Sequence, residues 1–144
     1  MTRDYTKLRT FEYADELALA VYNVTAKFPR NEMFSLTAQM RRAGLSVPAN
    51  IVEGSHRESE KDFLNFLTIA LGSLAELGYY LMFARKIGYL SQEDYDDLSQ
   101  KHTRCIKSLQ ALITSLRNRN PRLQRPRAEE QTLKSDGLRP ETED

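Results

Sequence analysis

The stretch FLNFLTIALGSLAELGYYLMFA, residues 63–84, decides the fold. It carries one charged residue, Glu76, and nothing else in the chain is as apolar for as long. At 100° per residue, Phe63, Leu67, Ala70, Leu74, Gly78 and Leu81 fall on one line, the periodicity of a helix face. Leu64, Leu71, Ala75 and Met82 widen that line into an arc of nearly half the helix. The opposite side, Asn65, Thr68, Gly72, Glu76, Tyr79 and Phe83, is polar or bulky but almost uncharged. A surface helix ordinarily shows a narrower apolar stripe and a charged outer face, so this helix is expected to be covered on more than one side. Its length would allow it to cross a bilayer. However, Asn65, Thr68, Ser73 and Glu76 are dispersed through it, and a central carboxylate is costly in lipid. The expectation is therefore the central helix of a bundle, not a membrane span.

Outward from that helix, the neighbouring segments carry the same period. In the first, Ala14, Leu17, Ala18, Val21, Val24, Thr25 and Phe28 recur at spacings of three, four and seven. They predict a helix over residues 11–27 that is ended by Pro29, because a residue preceding proline is pushed out of the α region. A second helix is expected from residue 32 or 36 to 53, with Asn31 and Ser35 both available as N-caps. Leu36, Met40, Ala43, Val47 and Ile51 form its core stripe, and Phe34, Ala38, Leu45 and Val52 form another about half a turn away. Pro48 lies inside it, where a kink is expected, and Gly54 is placed as a left-handed C-cap.

Ser59 and Asp62 resemble a capping box for the central helix, predicted over 60–86 and closed by Gly88. Ser91 then caps a fourth helix, with Glu93 and Asp94 in its first turn. The core stripe of this helix is Tyr95, Leu98, His102, Cys105, Ile106, Leu109, Leu112, Ile113 and Leu116. Short links make sequential helices antiparallel neighbours. The fold class is all-α: an up-down antiparallel four-helix bundle over residues 1–118, followed by a disordered polar C-terminal tail over 119–144. The tail region opens on arginines, Arg117, Arg119, Arg122, Arg125 and Arg127, and ends acidic.

With 144 residues the chain forms one domain with a substantial core. Its 21 basic and 20 acidic residues leave a net charge of +1, which by itself points to no partner. The N-terminus lacks the apolar segment of a signal peptide. A lone Cys105 agrees with a reducing cytosol, so a cytoplasmic location is expected.

No constellation supports catalysis, a metal or a cofactor. His56 and His102 are far apart in sequence. His102 and Cys105 sit on an apolar stripe, where a satisfied histidine and a small hydrophobic thiol are the default. Glu76 needs a partner, and an arginine from the second helix or from another subunit is the expected one. Arg41 and Arg42, with Arg57 and Lys61 near the next turn, have two readings. They are a solvated face balanced by Glu53 and Glu58, or a phosphate-contacting surface whose field adds up when subunits repeat it around an axis.

The string SLTAQMRRAGLSVPANIVEG, residues 35–54, resembles the signature of the bacterial four-helix proteins encoded within 23S rRNA intervening sequences. LRTFEYADELALAVYNVTAKFP (8–29) and FLNFLTIALGSLAELGYYLMFARKIGYLS (63–91) resemble that family's first and third helices. Phe11 stands where many members have Trp, and Gly44 where Ala is usual. The resemblance implies an up-down four-helix bundle assembling into a ring-like homopentamer, and it does not imply an enzyme. The family is more distantly similar to the accessory protein of diversity-generating retroelements, a pentameric barrel that binds nucleic acid and works with a reverse transcriptase.

Period and resemblance meet on assembly. The second stripe of helix two and the uncharged back of helix three are surfaces that one bundle does not need. Leu45, Val52, Glu76, Tyr79 and Phe83 are accordingly the expected oligomer interface. Nucleic acid, RNA or DNA, is the expected partner of Arg41, Arg42, Arg57 and Lys61. The alternative is a protein-interaction scaffold whose arginines only pair with acids.

Overall fold

The computed structural model describes residues 3–124. Four helices carry the fold: α1 (Arg9–Thr25), α2 (Leu36–Ser55), α3 (Glu60–Lys86) and α4 (Gln92–Arg119). α1 packs on α2 and α4, and α3 packs on the same two, so the four close a ring around one core. This is the expected up-down bundle. Short 3₁₀ turns, Tyr5–Lys7, Arg30–Glu32 and Pro121–Leu123, flank the helices. All seven apolar positions read for the first helix are buried, as are Met40, Ala43, Val47 and Ile51 of α2.

The helix ends show how local chemistry places these segments. Ser59 Oγ accepts from the Asp62 amide and Ser91 Oγ from the Asp94 amide, each at 3.1 Å. α3 stops because Gly88 turns left-handed at φ +85°. The Tyr89 amide then reaches the Ala84 carbonyl at 2.9 Å, and the Gly88 amide reaches that of Arg85 at 3.2 Å. This is a Schellman closure.

α2 begins differently from either expected N-cap. Ser35 occupies the cap position, but its side chain accepts no helix amide. Its hydroxyl donates to Glu32 Oε2 at 2.5 Å, and that oxygen also takes the Leu36 amide at 3.4 Å. The Tyr89 hydroxyl donates to the other Glu32 oxygen at 2.9 Å, tying the start of α2 to the α3–α4 turn. Ser35 and then Tyr89 hold the Glu32 carboxyl below the ordinary range.

Four readings are corrected. Gly54 is not a left-handed cap: it is buried inside α2, which runs on to Ser55. A Cβ there would lie 2.8 Å from Phe66 Cβ and 3.0 Å from a Phe63 ring carbon. The glycine is thus the seat that lets α2 and α3 close on each other. Ala75 and Met82, placed in the buried arc of α3, are exposed, because α2 and α4 cover a narrower sector than that arc. α1 spans Arg9–Thr25, beginning and ending before the predicted limits. Finally, the bundle passes residue 118: α4 runs through Arg119, and Leu123 packs against the core. The predicted tail beyond Gln124 lies outside the described residues.

The seat at Gly54 carries a prediction. Ala is a better helix former than Gly by about 1 kcal/mol, yet the methyl group collides with a Cβ, which has little freedom to move. Overpacking of this kind costs about 1–3 kcal/mol, so Gly54→Ala is expected to lower the urea midpoint. An unchanged or raised midpoint would show that α2 and α3 separate there at no cost. At Gly44 the same methyl would meet Val21 at 3.7 Å, ordinary contact, so the family's usual Ala fits this site too.

Candidate nucleic-acid interface and assembly face

Glu76 finds its partner on α2. Arg42 donates to Glu76 Oε1 and also to Gln39 Oε1, from Nε at 3.2 Å and from a terminal nitrogen at 2.9 Å. The Tyr80 hydroxyl donates to the same Glu76 oxygen at 2.7 Å. The Tyr80 bond first, and Arg42 second, hold the Glu76 carboxyl below the ordinary range. The phenol is raised in turn, because its proton serves that carboxylate. Glu76 is half-exposed, not sealed, so the expected arginine pair is present in a more solvated setting than the apolar stretch predicts.

The four cations read as a phosphate surface do not form one patch. Arg41 turns to α1, where Nε donates to Thr25 Oγ1 at 2.9 Å and the guanidinium lies 4.5 Å from the Tyr22 ring centroid. Arg42 turns to α3. Arg57 pairs with Glu53 one turn back and stacks 5.0 Å from the Phe66 ring. Lys61 is exposed at the start of α3 and forms no ion pair among the described residues. Arg41 and Arg42 stand on the first turns of α2, Arg57 just past its end. At 1.5 Å per residue this separates them by about 20 Å.

The interface residues fare differently. Tyr79 is 55% exposed, Phe83 40% and Leu45 46%. Val52 and Glu76 are half-buried. Ile69, at 52%, and Gly72, with open space above it, extend the same side of α3. The contacts Arg42–Glu76, Ser46–Ser73 (2.8 Å) and Gly54–Phe66 fix an antiparallel register between α2 and α3. In that register Leu45 and Ala49 lie level with Gly72 and Ile69. The result is one apolar surface spanning both helices, with the Arg42–Glu76–Tyr80 cluster set into it. The most apolar window of α3 has mean hydropathy 1.5, and only 28% of it is buried by the rest of the chain.

Sequence reasoning missed the polar strap beside Pro48. The Asn50 amide donates to the Ser46 carbonyl at 2.7 Å and to its hydroxyl at 3.0 Å, and that hydroxyl meets Ser73. Small polar residues in mixed stripes give no periodic signal for such a contact. The two residues with the best-known chemistry are structural. His102 Nε2 donates to the Leu74 carbonyl at 2.6 Å and sits over Gly78, where a Cβ would come within 3.0 Å of it. Cys105 is fully buried, and burial pushes its thiol up to about 12. Among the described residues no group of three His, Cys, Asp or Glu side chains is placed to hold a metal ion.

An antiparallel four-helix bundle with a polar-studded apolar face left open on α2 and α3 is the class of protein these features define. Its family follows from comparison. The model of the 23S rRNA-intervening sequence proteins matches residues 6–111, and the chain belongs to that family. A crystal structure of a protein of unknown function from the S23 ribosomal protein family of Bacteroides thetaiotaomicron superposes with a TM-score of 0.68 at 28% identity. The match covers 72% of this chain and 97% of that one. No curated protein matches the chain.

Proposed function

We propose that this chain is a non-enzymatic, cytoplasmic subunit of a homo-oligomer, a ring of five copies, that binds nucleic acid through cations repeated around the ring. The observation that carries the proposal is the open apolar surface of α2 and α3. Contiguous exposed apolar patches mark interaction sites, and the most direct occupant is the same surface of another copy. Repetition then multiplies a modest basic surface into a field that attracts a polyanion.

Light scattering of the full chain, followed by fluorescence anisotropy with a structured RNA and a duplex DNA across a salt series, tests both halves. The expected result is a mass several times that of one chain and an affinity that falls steeply with salt, with a log–log slope of about 0.9 per phosphate neutralised on duplex DNA. A single-chain mass sinks the assembly, and no binding to either ligand at low salt sinks the nucleic-acid reading. One observation favours the second reading, a protein-interaction scaffold: Arg41, Arg42 and Arg57 already have partners within the chain. Co-purification of one protein at high salt, without salt-sensitive RNA or DNA binding, is the result that reading requires.

A further inference from the structure

The first turns of α3 and the end of α4 enclose a groove of about 250 Å³. Lys61, Asn65 and Thr68 form one wall, and Arg117 and Arg122 the other, with Leu64 and Leu123 as its apolar lining. Among the described residues no acidic side chain lines it. Among the described residues, Lys61, Arg117 and Arg122 form no ion pair, whereas Arg42 and Arg57 do. Arg117 Nε is buried and has no hydrogen-bond partner among the described residues. Buried polar nitrogens are nearly always paired, and a buried donor on a cation is costly to leave unmet. Asn65 is exposed at the groove and its amide makes no hydrogen bond among the described residues, while Thr68 donates to the Leu64 carbonyl at 2.9 Å.

We infer that this groove is a phosphate-binding site in which Arg117, Arg122 and Lys61 surround a phosphoryl group and the Asn65 amide donates to it. A guanidinium presents its donors in a fixed fork that matches phosphate geometry. Three cations and an uncharged amide with no competing carboxylate select an anion with several acceptor oxygens. The natural source is a nucleic-acid backbone phosphate or a free phosphate compound. The inference rests on the nucleic-acid reading for the first source and not for the site itself. The groove lies between α3 and α4, whereas the Arg42–Glu76 cluster lies between α2 and α3, so the two can be perturbed separately. In the sequence the arginines stand at the start of the polar tail and Lys61 near the turn before α3. The antiparallel return of α4 brings them together.

The test uses the full chain, Arg117→Gln, and the double variant Lys61→Gln/Arg122→Gln. Inorganic phosphate binding is followed by ³¹P line broadening, and a labelled single-stranded RNA by anisotropy across salt. Both variants are expected to weaken phosphate binding by about tenfold or more, the scale of a lost hydrogen bond to a charged group. Each is also expected to lower the RNA salt slope by about 1 per phosphate-contacting cation removed. Arg117 is partly packed, so the exposed pair decides if Arg117→Gln unfolds. RNA binding that is intact in both variants, with no phosphate binding, overturns the groove and leaves the nucleic-acid reading standing. Phosphate binding lost in the variants, with no RNA binding by the parent, supports the site with a free phosphate compound as its ligand and removes the nucleic-acid reading. Absence of both overturns both.

Discussion

Phe83→Asp is expected to reduce the particle to the mass of one chain, 16.6 kDa, while leaving the helical signal in circular dichroism unchanged. Phe83 is exposed on the isolated bundle; its ring lies 6.2 Å from that of Tyr79 along the same open side of α3. In a single chain the new carboxylate would stand in water and cost little. Between two subunits it would be desolvated opposite apolar partners, and breaking into a buried contact with an unpaired charge costs about 3–5 kcal/mol. A symmetric assembly repeats that cost at every interface. Leu45→Asp, on the α2 half of the same surface, is expected to act alike. A variant that keeps the parent mass would place the interface on other faces. A variant that loses its helix signal would show instead that Phe83 supports the bundle itself.

The second large effect is on stability. Leu74→Ala is expected to cost about 2–5 kcal/mol, the range for a fully buried leucine whose cavity cannot collapse. That is a large part of the total stability of a domain, about 5–15 kcal/mol. Leu74 is 0% exposed at the middle of α3. Its backbone carbonyl is held by His102 of α4 and its neighbourhood by the close approach of that ring to Gly78, so the surrounding helices have little room to move inward. Urea unfolding measures the loss. A cost below 1 kcal/mol would mean that the core relaxes around the missing atoms and that α3 is less central than its burial indicates.

The bundle was legible because its evidence is periodic. The α1 face from Ala14 to Phe28 is buried at every predicted position, and Ser59, Ser91 and Gly88 end or begin helices as their side chains or lack of one require. Glu76 was legible for a different reason: a single carboxylate in the otherwise uncharged 63–84 stretch has to be met by a cation, and Arg42 meets it. What the period does not encode is which neighbour covers which sector. Ala75 and Met82 share the phase of buried residues but face outward. Gly54 has the residue type and position of a helix stop, yet it serves as a contact point, because a left-handed turn and a close approach both favour the absence of a Cβ. The capping role of Glu32 depends on Tyr89, which is remote in sequence and arrives only when α3 folds back. The meeting of Arg117 and Arg122 with Lys61 is hidden for the same reason: they are remote in sequence and come together only when α4 folds back along α3.

The register between α2 and α3 has one more consequence. As the position on α2 advances from Arg42 through Ser46 to Gly54, its counterpart on α3 retreats from Glu76 through Ser73 to Phe66. An ionic contact, a hydroxyl pair and a steric notch thus mesh like three teeth of a rack, each of a different kind. A slip by one helical turn would take Arg42 away from the only carboxylate in this part of α3, and the Gly54 notch away from the Phe63–Phe66 ridge, at the same time. Length changes are therefore tolerated in the link that precedes Ser59 but not within either helix between these teeth. In this hairpin, insertions and deletions are confined by gearing.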